Sequence, residues 1–444
     1  MSRRELNPDC RNARHEHGER ARMIGVGRKL VLGAAMLGVV GWGLAAPALA
    51  QTAPPDIVIG AVYPLSGNAA PIGHDAQVAL QAMTDIINGN LDMPMLMGQG
   101  GGLSNLGGAK IKLVFADSQN NPQIARTEAE RLITQDHVVA VIGSYTSFTA
   151  VTISQICNRY EIPYISAENS SPTLNRQGLA WFFRPSPTDI DFSGAMFAFF
   201  AGIGKQTGHP VHSVAIIHEN SVFGTDSSRI QSGLADQAGI KVLANISYQS
   251  STPSLSVEAE RLKAAEADVV LPTSYTSDAI LLLRAMHDAG YAPKAILAQD
   301  AGFIDQAFLN ASGPLADNLM SRSSFAIDAG KARPAIAKVN AFFKPRDDGK
   351  DLNDMTSREM TAVQVLADAI NRAGSTDHLK LQAALKATDI PGNQTIMPWV
   401  GIKFDETGQN TEGNPVIQQY QHGEWHTIFP FDVASAPAVW NVGK

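Results

Sequence analysis

Short apolar runs alternate with helix-like stretches through two successive series, and this pattern constrains the chain more than any other feature. The first series runs "DIVIGAVYPL", "HDAQVALQAMTDIIN", "KIKLVFADS", "PQIARTEAERLITQ", "VVAVIGS", "TAVTISQICNRY" and "IPYISA". After "WFFRPSPTD" it starts again with "DIDFSGAMFAFFAGIG", "SVAIIHEN", "TDSSRIQSGLADQAG", "KVLANISYQ", "SVEAERLKAAE", "ADVVLPTS", "SDAILLLRAMHDAG" and "KAILAQD". Apolar runs of strand length separated by segments of helical period predict βαβ units, a parallel sheet and right-handed crossovers. Two such series predict an α/β protein of two doubly wound lobes. The last third is helical and ends in hairpin-like "IMPWVGIKFDETGQN" and "PVIQQYQHGEWHTI", which return to the first two units. Residues 91–108, rich in Met and Gly, read as a loop insertion that could line the mouth of a cleft.

With 444 residues, 44% hydrophobic and 17% charged, the chain has the composition of a globular protein with two cores. Its N-terminus reads as a secretory signal. Arg28 and Lys29 precede the apolar run Leu30 to Ala45, and "APALA" ends at Ala50, where cleavage is expected. An uncleaved anchor helix is the other reading. Residues 1–22 lie far upstream for such a signal, so translation starting at Met23 stays open. Removing residues 1–50, with eight basic and four acidic side chains, takes the formal charge from −7 to −11. That acidity argues against nucleic acid as a partner. Cys10 leaves with the signal, and Cys157, on an apolar helix face, reads as a small buried hydrophobe rather than a nucleophile.

In open parallel sheets, ligands bind beyond the carboxyl ends of the strands. The loops there include "YPLSGNAAPIG", "SYTSFTA", "AENSSPTLN", "SVFG", "SYTS" and "DAG", which are hydroxyl-rich and nearly free of Lys and Arg. Ser147 falls about where a helix begins, so it either caps that helix or belongs to an anion site built on free N–H groups. Asp300 closes the run "AILAQ". It is either an exposed turn residue or a carboxylate facing the cleft, and then it requires a cationic partner or a shifted pKa. An anion site in one lobe and a carboxylate in the other would match both charges of an α-amino acid.

With these loops in place, the chain resembles the leucine/isoleucine/valine-binding family of periplasmic substrate-binding proteins for ABC importers. The stretches that carry the resemblance are "IVIGAVYPLSGNAAPIG", "VFADSQNNPQIARTEAERLI", "VVAVIGSYTSFTA", "IPYISAENSSPTL", "FFRPSPTD", "VFGTD" and "AILAQDAGF", in order from about Asp56 to Glu424. The resemblance implies two lobes joined by three crossovers, the type I periplasmic-binding-protein fold. Lobe 1 would be 56–183 plus 326–388, and lobe 2 would be 184–325 plus 389–430, with a tail at 431–444. It further implies a monomer in the periplasm that holds a free amino acid, of branched-chain type, and delivers it to ABC permease subunits, with no cofactor and no metal. The ligand carboxylate would meet the loop of Thr146 and Ser147. The loop of Glu168, Asn169 and Ser170 would give a backbone carbonyl and a hydroxyl. Asp300 would take the ammonium, and Tyr275 would close over the side chain. Phe223 stands where relatives carry Tyr, and Ile72 where an aromatic is common. These two departures and the insertion leave room for an aromatic acid or amide.

An enzyme is the main rival reading, but no G-x-S-x-G, P-loop, H-E-x-x-H or cysteine pair supports it. His209 and His212, like His422 and His426, lack the spacing of a defined metal site. A ligand-sensing domain working with a separate signalling partner is the second rival.

Overall fold

The computed structural model describes residues 53–331 and 333–443; the expected signal segment lies outside them. Five strands make the first sheet: β1 (Ile57–Tyr63), β2 (Ile111–Asp117), β3 (Val141–Gly143), β4 (Tyr164–Ile165) and β5 (Phe182–Phe183). They run parallel in the order β2-β1-β3-β4-β5. Helices α1 (Ala70–Asn88), α2 (Pro122–Thr134) and α3 (Ser147–Arg159) follow the first three strands. Local chemistry sets their starts: Asn121 caps α2 through the N–H groups of Gln123 and Ile124, and Pro122 opens it.

The chain then enters α4 (Asp189–Thr207), begun by a capping box between Thr188 and Asp191. Its second series gives β6 (Ser213–Glu219), α5 (Val222–Gln237), β7 (Lys241–Tyr248), α6 (Ser256–Ala265), β8 (Val269–Thr273), α7 (Thr276–Asp288), β9 (Leu297–Ala298), α8 (Gln306–Ser312) and β10 (Met320–Ser323). β7-β6-β8 is parallel, a bridge from Val270 to Ile296 carries it to β9, and β10 lies parallel to β9.

From β10 the chain returns to the first unit as α9 (Pro334–Phe343), α10 (Asp354–Ala373), α11 (His378–Lys386) and the antiparallel pair β11 (Asp389–Pro391) and β12 (Gly401–Lys403). It then crosses back to the hairpin β13 (Val416–Gln421) and β14 (Glu424–Phe429), antiparallel to β10. Three crossings therefore join two doubly wound halves. Arg184, fully buried on the first crossing, binds the carbonyls of Asn169 (2.9 Å) and Ser171 (2.8 Å) and, through Nε, the Gln409 side chain (2.6 Å) on the third.

Packing draws the border between the halves differently from the sequence reading. Ile390, Ile396, Met397, Trp399, Ile402 and Phe404 fill the first core, because the segment after α11 folds over α10 before it crosses. Trp440 and Val442 of the tail belong to the second core. The 91–108 insertion buries Met93, Met95 and Leu103 in the first core, and Gln364 of α10 holds the Leu96 carbonyl at 2.8 Å. Its apolar side chains draw it onto that core, so it lines neither of the chambers described below. Cys157 on α3 is buried in the core that α3 shares with α2, where burial pushes its thiol pKa up, as suits a packing residue.

Candidate ligand-binding cleft

Strand order reverses between β1 and β3 in one sheet, and between β6 and β8 in the other. Loops leaving neighbouring strands at such a point diverge and leave a crevice. Ser147 follows β3, Phe223 follows β6 and Tyr275 follows β8, so the expected residues converge from both halves. A chamber of about 20 Å³ is lined by Tyr145, Ser147, Glu168, Asn169, Ser170 and the aromatics Phe223 and Tyr275, with Arg322 and Arg358. A wider cavity of about 230 Å³ lies outside it, on the other side of Tyr145 and Tyr275.

Ser147 is the first residue of α3, and Thr146 occupies the N-cap position without making a side-chain cap. The helix-cap role considered for Ser147 is therefore absent. Its N–H instead donates to the Tyr275 hydroxyl of the opposite half at 3.4 Å. Thr146 does not line the chamber; its hydroxyl is committed to Asn120 (3.0 Å) and Thr149 (2.8 Å). Asn169 braces the same loop, donating to the carbonyls of Ser144 (2.8 Å) and Tyr145 (3.2 Å).

Aromatic rings close the chamber. Tyr275 meets Tyr145 at a centroid distance of 5.2 Å and Phe223 at 5.5 Å, and Ile72 and Met355 complete the apolar cluster. Gly302 makes this possible: a Cβ there would lie 2.3 Å from the Tyr275 carbonyl carbon. Ile72 and Phe223 are therefore packing partners of Tyr275, which accounts for apolar residues at both positions.

Asp300 is placed differently from a lone carboxylate awaiting an ammonium. It is fully buried at φ +62°, a conformation unusual for a residue with a Cβ. Its Oδ2 accepts from Arg322 and, at 3.1 Å, from Arg358. The cationic partners it requires are supplied by the protein. Arg358 also binds Asp354, and its Nη1 donates to the Glu168 backbone carbonyl at 2.6 Å. One backbone carbonyl of the loop expected to meet the ligand thus already accepts from a guanidinium. Arg322 stacks on Phe192 with 3.6 Å from its guanidinium carbon to the ring centroid.

Burial and a neighbouring Glu359 charge raise the Glu168 pKa well above the carboxylate range. Burial raises Glu359 to about 8, and the Tyr63 hydroxyl bonds its Oε2. Burial and the Asp354 charge push Asp300 up, although Arg322 opposes them. Asp354 is the exception: the Arg358 guanidinium overcomes its burial and holds it well below the usual range.

The arginines escape a search of the strand-end loops because they come from β10 and from the first half of α10. The signal for them is an Arg inside the apolar strand "LMSRSS" and another in the helix "TSREMTAVQV".

The family described as periplasmic binding protein matches residues 56–424. The chain is 29% identical over 392 residues to Leu/Ile/Val-binding protein homolog 7 of Brucella abortus (strain 2308), covering 87% of this chain and 93% of that protein. It is 28% identical over 387 residues to homolog 8 of the same strain, covering 86% and 92%. Its fold is that of the leucine-binding protein LivK of Thermotoga maritima (TM-score 0.71, 21% identity, 85% and 100% covered). It is also that of the branched-chain amino acid substrate-binding protein LivJ of Streptococcus pneumoniae in complex with isoleucine (TM-score 0.68, 18% identity, 83% and 97% covered).

Proposed function

From this chain's membership in the periplasmic binding protein family, we propose that it is the solute-binding component of an ABC importer, carries no catalytic activity, and takes one free amino acid between its halves for delivery to a membrane permease. The observation that carries this reading is the convergence of a helix N-terminus (Ser147) with one buried carboxyl and an aromatic lid in one small chamber. The helix end suits a ligand carboxylate, the carboxyl an ammonium, and the cluster of Ile72, Tyr145, Phe223, Tyr275 and Met355 an apolar side chain. The Leu/Ile/Val-binding names of the relatives favour a branched-chain amino acid.

A space of about 20 Å³ holds about one water molecule. An amino acid therefore enters only when the halves part at the three crossings, and its carboxylate then replaces the Tyr275 hydroxyl on the Ser147 N–H. A thermal-shift panel of amino acids, aromatic acids and short amides on the secreted chain tests the reading. At least one α-amino acid is expected to raise the melting temperature; a panel in which none does would refute it, and shifts confined to aromatic acids would favour the anion reading that the arginines invite.

Closure has an identifiable clasp. Asp226 on α5 accepts from the Ser171 hydroxyl (2.6 Å) and the Thr173 hydroxyl (2.7 Å) across the cleft. These bonds and Arg229 hold its pKa below the ordinary value despite burial. Asp226→Ala is expected to weaken ligand binding by about 1–2 kcal/mol, since hydrogen bonds to a charged group are lost only in the closed form. Calorimetry measures the affinity, and small-angle scattering of the ligand-free variant is expected to show a larger radius of gyration.

A further inference from the structure

We propose that the Glu168 side chain is the group that recognises the ligand's ammonium, and that it gives up a proton when the ligand binds. This inference rests on the amino-acid reading above and assigns within it a role that the sequence had given to Asp300.

The geometry singles out Glu168. It lines the inner chamber, is almost fully buried, and its Oε2 has no hydrogen-bond partner. An unpartnered buried carboxyl oxygen is costly unless something reaches it. Its backbone carbonyl already accepts from Arg358, whereas the side-chain Oε2 accepts from nothing. Asp300 Oδ1 is unpartnered as well, but both guanidiniums sit on its Oδ2 and Asp300 does not line the chamber, so only Glu168 offers a free oxygen there.

The charges that face Glu168 come from several elements. Arg358, Asp354 and Glu359 belong to α10, Asp300 follows β9, Arg322 lies in β10, and the hydroxyls of Tyr63 and Tyr145 come from β1 and the loop after β3. Among the described residues, Glu168, Asp300, Asp354 and Glu359 thus face Arg322 and Arg358, two carboxyls more than guanidiniums. Adding the neighbouring Arg184 and Asp189 brings one of each and leaves the excess unchanged. Two carboxylates in excess cannot all stay ionised in a dry site, so protons occupy the surplus. Burial raises the pKa values of Glu168, Glu359 and Asp300 in keeping with that state, and of the three Asp300 alone bonds both guanidiniums.

A ligand ammonium changes the balance. The Glu168 carboxyl releases its proton to solvent, and the carboxylate accepts a hydrogen bond from the ammonium. Ammonium and proton compete for one group, so affinity rises with pH while Glu168 is protonated in the free protein. A carboxylate ligand without an amino group receives no such benefit. Selection against it would come from Glu168, while Arg322 and Arg358 stay neutralised by Asp300 and Asp354.

The test titrates the full secreted chain with L-leucine and with 4-methylpentanoate, the same molecule without its amino group. Calorimetry in two buffers of different ionisation enthalpy counts the protons released. Over the pH range in which Glu168 is protonated in the free protein, leucine is expected to bind about tenfold more tightly per pH unit with one proton released, and 4-methylpentanoate at least about 100-fold more weakly than leucine. Glu168→Gln is expected to abolish the pH slope and narrow the gap between the two ligands. Leucine affinity that does not change with pH, or equal binding of the acid, overturns the inference while leaving amino-acid binding intact. The wild-type comparison decides the matter even if the variant fails to fold. Failure of leucine together with every other α-amino acid of the panel removes both readings.

Discussion

Arg358→Met is expected to destabilise the folded chain by about 3–5 kcal/mol, the largest effect of any single change at the cleft. Met keeps an unbranched apolar stem in place of the aliphatic part of Arg, so lost packing is the smaller part of the effect. What is lost is the cation between Asp354 and Asp300 and the donor to the Glu168 carbonyl, all of them buried. Removing one partner of such a cluster leaves uncompensated charge. The pH dependence identifies the cause. Arg358 depresses the Asp354 pKa below 3.8, so this carboxylate contributes stability that is present above its unfolded value and is lost as pH falls through the folded one. The gap between wild type and variant should therefore be widest near neutral pH and narrow below about pH 4. Thermal unfolding across that range measures it. A gap that does not change with pH would point to packing instead of charge.

Asp300→Ala is expected to weaken amino-acid binding by about 2–5 kcal/mol, although Asp300 does not line the chamber. The carboxylate holds Arg322 and Arg358 against itself from the far side of the chamber wall. Without it, two guanidiniums face the chamber with one carboxylate fewer, and both the negative potential and the position of Glu168 suffer. A control separates this route from a direct contact. If Asp300 bound the ammonium itself, the variant would lose leucine and keep 4-methylpentanoate at its wild-type affinity. If it acts through the arginines, 4-methylpentanoate should bind better than to the wild type, because the freed guanidiniums attract a carboxylate. Calorimetry with both ligands reads the difference, and unchanged leucine affinity would remove Asp300 from the account.

The architecture was legible because its signals are local and repeated. Apolar runs such as "SVAIIHE" and helical stretches such as "VALQAMTDII" fix strand and helix independently, and their alternation fixes the parallel sheets. The strand-end loops that carry Ser147, Glu168, Asn169, Ser170, Phe223 and Tyr275 line one chamber because loop position follows from topology, while the resemblance singled out the individual residues beyond Ser147. Strand-end reasoning failed where a partner comes from far along the chain. Arg322 and Arg358 lie 22 and 58 residues beyond Asp300, on a strand and a helix, and nothing local marks either as its partner. The same limit applies to Trp399, whose place in the first core depends on how residues after α11 fold back and on a hydrogen bond to the Ser324 carbonyl. Thr146 shows the reverse error: a hydroxyl in a ligand loop was taken for a contact, whereas the turn uses it to bind Asn120 and Thr149.

Asp300 and Glu168 both bear on ligand charge, and one observation separates their roles from each other and from a purely anionic ligand. That measurement is a crystal structure of residues 51–444 with the amino acid giving the largest thermal shift. The account predicts the ligand carboxylate on the Ser147 N–H in place of the Tyr275 hydroxyl, the ammonium within hydrogen-bond distance of the Glu168 carboxylate, and Asp300 still held by Arg322 and Arg358. A ligand lying the other way round, with its carboxylate on Arg322 or Arg358, or one bound outside the chamber between the halves, would contradict it.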